Sequence, residues 1–465
     1  MSIIIPANTL AAGGFDVDNS VRFNDGDSAY MHKTAAAGNR RTFTFSTWFK
    51  RGQLGTNQQL FNSYSAANAG GFAYMQLEAI ESGVVGDRIS LEVYGTILLK
   101  TTQVLRDPSS WYHLVIAVDT TSGTANNRCR MYLNGTEITD FVTRNNPDQN
   151  FDFAFNQNNI DMYLGSNNYG GNKGNYFDGY MAEVVWIDGT QYAASDFGEF
   201  DEDSNIWKPI DVSGLTAGTN GFYLDFKASA NLGNDAFGGT DLDEYNLTAI
   251  DQSTDTCTNN FATLNPLAPM DTGSLVQALS EGNLKANGPA EGVGWQTAYA
   301  TIPLSSGKWY IEVLVTQVAG NEVVIGLNPD NFSNTSDTAH SNSTAGVWYQ
   351  SNGNKWVSGS SSSYGATYDD GDIISVLINM DDSEVTFYKN DASQGTISFN
   401  TNLTGASSII FGTNGIEVTS ITQFNFGSPP YAVSSSNTDG NGYGNFEFAT
   451  KGGYALNTKN LAEYG

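Results

Sequence analysis

The chain is poor in the residues that staple small secreted domains or build thiolate metal sites. Only two of its 465 residues are cysteines, Cys129 and Cys257, and they lie far apart in the sequence. A disulfide-bonded secreted scaffold and a cysteine-based metal cluster are therefore disfavoured. The opening segment MSIIIPANTL has no basic region and too short an apolar run for a signal peptide. No window approaches the ~20 apolar residues of a membrane helix, so we expect folding in a reducing cytoplasm.

Positive charge is also scarce. The chain has 21 Lys and Arg residues against 49 Asp and Glu residues, which gives a formal net charge of −28. Such an acidic field repels phosphate backbones and anionic lipids, so nucleic acid and membrane surfaces are not expected as partners. Apolar residues are nevertheless abundant, at 40% hydrophobic and 12% aromatic. A chain of this composition collapses into a core and is not an acidic disordered segment.

Alternation of apolar and polar residues runs through the chain, and helical periodicity sustained over several turns is lacking. In RTFTFSTWFKR, Phe43 and Phe45 fall on one face of a strand and Trp48 falls on the other. The dipeptides Asn134-Gly135 and Asp188-Gly189 tolerate the positive φ that tight hairpin turns require. Many short strands separated by such turns predict an all-β protein made of sandwiches or barrels rather than βαβ units.

The strand pattern is interrupted between about residues 246 and 287, where proline and turn-forming residues dominate. It resumes with GWQTAYATI and GKWYIEVLVTQV. We interpret the interruption as a junction, which predicts two antiparallel β-sandwich domains at residues 1–245 and 246–465. The second of these includes a loop-rich C-terminal extension.

The two halves resemble two known β-sandwich families. Residues 14 to 230 resemble the concanavalin A-like/laminin G-like jelly-roll superfamily, through SVRFNDGDSAYM, FTFSTWFKR, WYHLVIAVDTT and YFDGYMAEVVWIDGTQY in matching order and spacing. Residues 257 to 427 resemble the SPRY (B30.2-like) domain, through GKWYIEV, VVIGL, YDDGDIISVLINMDDSEVTFYKND and FNFG. The resemblance implies a lectin-like domain followed by a SPRY-like domain.

Three further segments resemble virion proteins of tailed bacteriophages: NGFYLDFKASANLGNDAFG, DTCTNNFATLNPL and GGYALNTKNLAEYG. This resemblance implies a virion surface protein, assembled in the host cytoplasm as a short fibre, knob or capsid decoration. It also implies other virion proteins as partners, a homo-oligomer, with a trimer expected, and a host-surface glycan as ligand during adsorption. Two alternatives stay open: a structural cement protein without a ligand, and a polysaccharide depolymerase.

The sequence matches the known catalytic motifs poorly, so we expect a non-enzymatic protein. The segment GEFDEDSNIW, which contains Glu199, Asp201, Glu202 and Asp203, only begins the carboxylate alternation of concanavalin-type glycosidases and then enters a loop. A solvated acidic loop is the favoured interpretation. No G-x-S-x-G elbow accompanies any of the three histidines, which are His32, His113 and His340. We predict that His113 is packed and hydrogen-bonded within its strand.

Aromatic residues in Asn/Gly/Ser-rich segments are the candidate ligand contacts, because aromatic rings stack on sugar faces while amides and carboxylates bind hydroxyls. In the second half, VWYQSNGNKWVSGSSSSYG supplies Trp348, Tyr349, Trp356 and Tyr364. In the first half, NNYGGNKGNYFDG supplies Tyr169 and Tyr176. The competing interpretation is that Trp348 and Trp356 face the core.

Calcium is the candidate cofactor, since loop carboxylates bind it in lectin-like jelly rolls. NDGDSAY offers Asp25 and Asp27 around Gly26, with Asn24 beside them. LGNDAFGGTDLDE offers a second set, namely Asp235, Asp241 and Asp243. Neither set has EF-hand spacing, and ordinary Asx turns are the alternative. The acidic runs 369–372 and 381–384 are predicted to be turns at the ends of a hairpin.

Overall fold

The computed structural model describes residues 14–68, 70–80, 85–267, 278–288, 293–318, 323–329, 346–399, 403, 407–415 and 420–465. The opening segment considered as a signal peptide and His340 lie outside these ranges. Within them the chain divides into two compact units, 11–258 and 259–465. Each unit is described by itself below.

The described residues of the first unit form twenty strands. They are β1 (Ser20–Phe23), β2 (Tyr30–Ala35), β3 (Thr42–Arg51), β4 (Gln58–Tyr64), β5 (Phe72–Leu77), β6 (Ile89–Val93), β7 (Thr96–Thr101), β8 (Trp111–Asp119), β9 (Cys129–Leu133), β10 (Thr136–Glu137), β11 (Phe141–Arg144), β12 (Ile160–Leu164), β13 (Asn167–Tyr169), β14 (Asn172–Gly174), β15 (Gly179–Asp188), β16 (Gly198–Phe200), β17 (Trp207–Pro209), β18 (Phe222–Leu224), β19 (Asp243–Tyr245) and β20 (Gln252–Ser253). Short 3₁₀ turns lie at Asp25–Asp27, Ala125–Asn127, Ala194–Asp196 and Ala249–Asp251.

Two antiparallel eight-stranded sheets form the sandwich of the first unit. The first sheet has the order β10-β9-β8-β3-β15-β1-β20, with β18 also paired to β15. The second sheet has the order β11-β7-β6-β5-β4-β12-β2-β19. Between them lies a core rich in aromatic rings, where Phe43, Phe45, Phe61 and Trp186 are fully buried.

The first sheet is buried on both faces. Its other face carries a second apolar cluster that includes Trp48, Trp111, Tyr180 and Trp207. The strands β3 and β15 are therefore buried along almost their whole length. The alternation in RTFTFSTWFKR correctly predicts which residues share a face, but the face of Trp48 is a second core and not a solvated surface.

The second unit contains thirteen strands and one α-helix among its described residues. They are β21 (Ala278–Ser280), β22 (Lys285–Asn287), β23 (Val293–Tyr299), β24 (Lys308–Gln317), β25 (Val323–Pro329), β26 (Val347–Gln350), β27 (Asn354–Val357), β28 (Ser360–Ser363), β29 (Ile373–Asn379), β30 (Glu384–Lys389), β31 (Ala392–Ser398), β32 (Ser407–Gly415), β33 (Ile421–Asn425) and α1 (Thr458–Tyr464). The sheets have the orders β21-β22-β33-β24-β29-β30-β31 and β23-β32-β25-β26-β27-β28. The prediction of two antiparallel β-sandwiches is confirmed.

The acidic runs of the second unit lie at the ends of the β29–β30 hairpin, as predicted. Asp372 ends the turn before β29, where it accepts from the Asp369 amide at 2.8 Å and pairs with Lys389 at 3.0 Å. Asp382 lies in the turn between the two strands and accepts from Asn379 Nδ2 at 2.7 Å. These carboxylates close turns and carry no sign of shared acid/base chemistry.

The boundary between the two units follows Thr258 and not residue 245. The reason is that β20, which lies beyond the predicted boundary, still belongs to the first sandwich, where it pairs with β1. A buried ion pair between Lys50 and Asp255, at 2.8 Å, fixes the same segment to β3. No helix among the described residues is long and apolar enough to cross a membrane.

Candidate functional site

The candidate site is the face of the second sheet that points away from the core of the first unit. Met75 in β5 and Leu91 in β6 face the core. Their immediate neighbours along each strand, such as Tyr74 and Glu92, therefore face outward. Strand register aligns one outward residue from each of six neighbouring strands in a single row. In order across the sheet, the row is Asp243, His32, Tyr163, Asn62, Tyr74 and Glu92. We call this surface the polar face.

A hydrogen-bond network fixes one end of the polar face. The Glu92 carboxylate accepts from Tyr74 Oη at 2.6 Å, Gln76 Nε2 at 2.9 Å and Ser90 Oγ at 2.7 Å. Gln59 Nε2 donates in turn to Gln76 Oε1 at 2.7 Å. Burial and the adjacent Glu92 carboxylate raise the pKa of Tyr74. Because each of these groups is buried and bonded, they form a rigid base for the face.

The other end of the polar face is an aromatic cluster. The Tyr30 ring stacks on the Tyr245 ring, with centroids 4.6 Å apart and an interplanar angle of 4°. The His32 ring lies 5.4 Å from the Tyr163 ring and 5.3 Å from the Tyr245 ring. The predicted contact Tyr176 joins this cluster, with its ring centroid 6.4 Å from that of Tyr30. Tyr245 is 44% exposed, so one ring of the cluster is open to a ligand.

The β13–β14 hairpin folds onto the middle of the polar face. The Asn168 amide N donates to Asn62 Oδ1 at 2.9 Å, and Asn168 Nδ2 donates to Tyr163 Oη at 3.0 Å. Lys173 Nζ lies 4.6 Å from the centroid of the Tyr163 ring. These contacts cover the middle of the row and leave the tip of the hairpin exposed.

The predicted contact Tyr169 stands at the tip of this hairpin. Its ring packs 5.2 Å from Tyr64 and 5.3 Å from Phe72, yet 43% of the residue is exposed. Tyr94, at the turn between β6 and β7, is also 43% exposed and is linked to Tyr169 through a side-chain hydrogen bond. Three exposed tyrosines, Tyr94, Tyr169 and Tyr245, thus border a bonded polar base. Flat rings beside hydrogen-bonding groups suit an uncharged, hydroxyl-rich ligand.

Two of the predicted contacts in the second unit are buried, so the expectation of exposed rings is wrong for them. Trp348 is fully buried on β26 and packs with Tyr299, Val324 and the facing Trp356. Tyr349 points to the opposite side of the same strand and lies in the main core. A sandwich strand with both faces covered hides both residues of such a pair.

The other two predicted contacts in the second unit are only partly exposed. Trp356 Nε1 donates to Gln350 Oε1 at 2.8 Å. The Tyr364 hydroxyl donates to the Gly395 carbonyl, and Lys355 Nζ lies 5.4 Å from its ring centroid. The structure does not bring all four aromatic residues of this segment onto one accessible surface.

The calcium candidates form turns. Asn24 Oδ1 accepts from the Gly26 amide at 3.3 Å, and Asn24 Nδ2 donates to Asp27 Oδ2 at 3.0 Å, which closes the 3₁₀ turn that holds Asp25. In the second set, Asp235 caps a loop while Asp243 points outward toward His32 at 3.7 Å. Among the residues that the structure describes, no group of three or more His, Cys, Asp or Glu side chains could hold a metal ion.

Two other candidates, Asp201 and His113, are held by hydrogen bonds within the fold. Asp201 accepts from the Ser204 amide and hydroxyl at 2.9 and 2.8 Å, and these bonds, followed by Lys208, lower its pKa to about 2. His113 is buried, as predicted: Nδ1 accepts from Trp207 Nε1 at 2.9 Å, and Nε2 lies 2.9 Å from Ser46 Oγ. Because indole N–H can only donate, this histidine is the neutral Nε2–H tautomer.

The polar face was not predicted from the sequence as a unit. Its members come from six strands spread between residues 30 and 245, and only pairing brings them together. A signal does exist within single strands: polar or aromatic residues at every second position, such as Tyr74 and Gln76, alternate with core residues. Alternation identifies an outward face but does not say which outward residues become neighbours.

Comparison with known proteins agrees with this architecture. Residues 24–193 match the family model of the concanavalin A-like lectin/glucanases superfamily, and residues 308–428 match that of the SPRY domain. The chain therefore carries a concanavalin A-like domain and a SPRY domain in tandem. No curated protein matches the sequence.

Several solved structures are similar to parts of the chain at low sequence identity. The SPRY domain of human HERC1 is 12% identical, covering 35% of this chain and 96% of that chain with a TM-score of 0.29. A putative carbohydrate binding protein from Bacteroides ovatus is 16% identical, covering 50% and 58% with a TM-score of 0.35. A heptameric SAP-like pentraxin from Limulus polyphemus is 12% identical, covering 39% and 80% with a TM-score of 0.30.

Proposed function

We propose that this protein is a non-enzymatic glycan-binding protein of the virion surface of a tailed bacteriophage. The observation that carries the glycan-binding part is the polar face, where Tyr94, Tyr169 and Tyr245 are each more than 40% exposed beside a buried, bonded base. Exposed aromatic rings that group on one surface often mark an interaction site, and these three rings border one face. The concanavalin A-like family match supports a lectin-like role for this domain.

The arrangement favours a neutral polysaccharide over a charged ligand. The face contains hydroxyl, amide and imidazole groups. Its carboxylates at Glu92 and Asp161 accept from Tyr74 Oη and Tyr163 Oη, and its exposed carboxylate, Asp243, lies 3.7 Å from His32 Nε2. A sugar ring can stack on Tyr245 while its hydroxyls reach the polar groups beside it. The occupied carboxylates also support a binding role over a hydrolytic one.

The virion setting rests on the phage-like segments of the sequence, and it is part of the proposal. In that setting the SPRY domain is a second recognition module, directed at a host molecule or at another virion protein. A homotrimer would place three copies of the polar face on one particle site. Multivalent display strengthens attachment to a repetitive glycan even where a single face binds weakly.

A glycan array probed with the full-length protein tests the proposal. We expect saturable binding to one class of bacterial surface polysaccharide, without release of reducing sugar on prolonged incubation. Absence of binding together with tight capture by phage capsids or tails would replace the proposal with the structural cement alternative. Release of reducing ends would replace it with the depolymerase alternative.

A further inference from the structure

A separate cavity lies at the end of β2, on the other side of that strand from the outward-facing His32. It has a volume of about 350 Å³ and lies between the turn 217–221 and the loop 235–240. This volume is within the range of about 300–1,000 Å³ that is usual for small-molecule sites. Its lining includes Lys33, Thr34, Thr219, Asn220, Phe237 and Thr240.

Lys33 is the unusual member of this lining. The residue is only 8% exposed, yet within the described part of the chain its ammonium group forms no hydrogen bond and no ion pair. The ammonium lies over the Phe222 ring, whose centroid is 5.7 Å from Nζ. Burial lowers the pKa of Lys33, and the more distant carboxylates of Asp235 and Asp241 offset this only in part. Because Lys33 lines the cavity, an acceptor on a bound ligand could bond to this ammonium.

The two nearby aspartates are committed to the loop itself. Asp235 Oδ1 accepts from the Tyr223 and Phe237 amides at 2.9 and 3.0 Å, and its Oδ2 accepts from the Gly239 amide at 3.1 Å. Asp241 Oδ1 accepts from the Asp235 amide at 2.9 Å. These bonds shape the wall of the cavity that Lys33 also lines.

Glycines allow this wall to approach so closely. A Cβ at Gly239 would lie 2.4 Å from Asp235 Oδ2, and a Cβ at Gly221 would lie 2.0 Å from the Ala217 carbonyl oxygen. Gly218 has a φ of +76°, in the left-handed region that favours glycine. The turn and the loop are thus built to hold a small cavity open beside Lys33.

We propose that this cavity binds a hydroxyl-rich monocarboxylate, such as an acidic sugar. The carboxylate would pair with the Lys33 ammonium, the hydroxyls would bond to Thr219, Thr240 and backbone groups, and one face of the ring would rest on Phe237. Charge-assisted bonds of this type are about twice as strong as neutral ones. Asp235 and Asp241 lie near Lys33, so they repel a dianion such as a phosphate monoester more strongly than a monocarboxylate.

Matched sugar pairs test this assignment on the full-length protein. Glucuronate, galacturonate and mannuronate are titrated by calorimetry beside glucose, galactose and mannose, which differ only at the carboxylate. We expect saturable binding of at least one uronate and at least tenfold weaker binding of its neutral partner. Equal affinity within every pair, or no binding of any uronate, overturns the proposal.

Variants locate the binding. Lys33→Met should weaken uronate binding at least tenfold, whereas Lys227→Met, at an exposed lysine paired with Asp225, should leave it unchanged. Thr240→Trp, which obstructs the cavity and leaves Lys33 in place, should also abolish binding and covers the case in which Lys33→Met fails to fold. Unchanged affinity in a folded Lys33→Met variant overturns the proposal.

The cavity does not depend on the glycan-binding proposal for the polar face. Tyr245→Ala, which alters the polar face, should leave uronate affinity unchanged, so the two sites can fail separately. An oligouronate that binds more tightly than the monomer identifies the end of an acidic polymer as the ligand. Equal affinity identifies a free sugar acid, and either result supports the cavity.

Discussion

Replacing Glu183 with Gln should make the first domain more stable at alkaline pH and leave its stability nearly unchanged at acidic pH. Glu183 lies at a bulge of β15, where its φ is +50° and the pairing with β3 shifts register. Its side chain is buried, and Oε2 accepts from Tyr223 Oη at 2.6 Å. Burial raises the pKa of this carboxyl from 4.5 to about 7.

The sign follows from proton binding. Between pH 4.5 and 7 the folded protein keeps a proton on Glu183 that the unfolded chain has released. The stability that this group contributes is therefore fully present below pH 4.5 and is lost as the pH rises through 7. A shift of about 2.5 pH units at about 1.4 kcal/mol per unit gives a loss of about 3 kcal/mol. Gln carries no charge at any pH and still offers an acceptor to Tyr223.

The quantity to measure is the free energy of unfolding of the full-length protein at pH 4.5, 6 and 8. It is obtained from a denaturant series in which hydrogen-exchange mass spectrometry follows peptides of β3 and β15. Relative to wild type, Glu183→Gln should gain about 3 kcal/mol between pH 4.5 and pH 8. Glu202→Gln, at an exposed acidic residue, is the matched control and should show no such trend. A difference between Glu183→Gln and wild type that does not vary with pH would refute the reasoning.

Three further predictions concern stability. Burial lowers the pKa of His113 from 6.5 to about 3. The contribution of His113 to the free energy of unfolding is therefore present above pH 6.5 and falls by about 2 kcal/mol between pH 7 and 5, and His113→Gln should abolish that fall in the same exchange assay. Arg51→Met removes one of the two arginine partners of the buried Asp87, the other being Arg106, and should cost about 3 kcal/mol in denaturant unfolding, whereas loss of the exposed Arg41–Asp152 pair should have a much smaller effect. Trp348→Ala should cost about 3–5 kcal/mol in the unfolding of the second domain and leave glycan binding unchanged; weakened glycan binding without destabilisation would contradict its burial.

Strand patterns in the sequence predicted the two sandwiches well, because alternation reports directly on local pleat geometry. The same patterns could not say what covers a face. Trp48 and Trp348 each lie on the strand face opposite a core residue, and alternation alone does not say whether that face is exposed. In the folded chain, Trp48 is covered by a cluster that includes Trp207, and Trp348 by Tyr299 and the facing Trp356. The residues that bury such a face come from distant segments or neighbouring strands, so they depend on tertiary packing.

The candidate site illustrates the same limit. Tyr169 and Tyr176 could be selected from the sequence because they lie in a polar, glycine-rich segment typical of an exposed loop. Tyr245, which stacks on Tyr30, could not, because the pairing of β19 with β2 joins residues more than 200 positions apart. The cavity beside Lys33 was hidden for a similar reason, since its wall is formed by two later loops. The positions of Tyr245 and of the cavity depend on long-range contacts, which local sequence patterns do not predict.

The most direct test of the central claim is the dissociation constant of the preferred glycan for wild-type protein, Tyr245→Ala and Phe200→Ala. Phe200 is 45% exposed, much like Tyr245 at 44%, but it lies on β16, outside the polar face. We predict that Tyr245→Ala weakens binding about tenfold, or about 1.4 kcal/mol, and that Phe200→Ala leaves it unchanged. Equal affinity of all three proteins would contradict the assignment of glycan binding to the polar face.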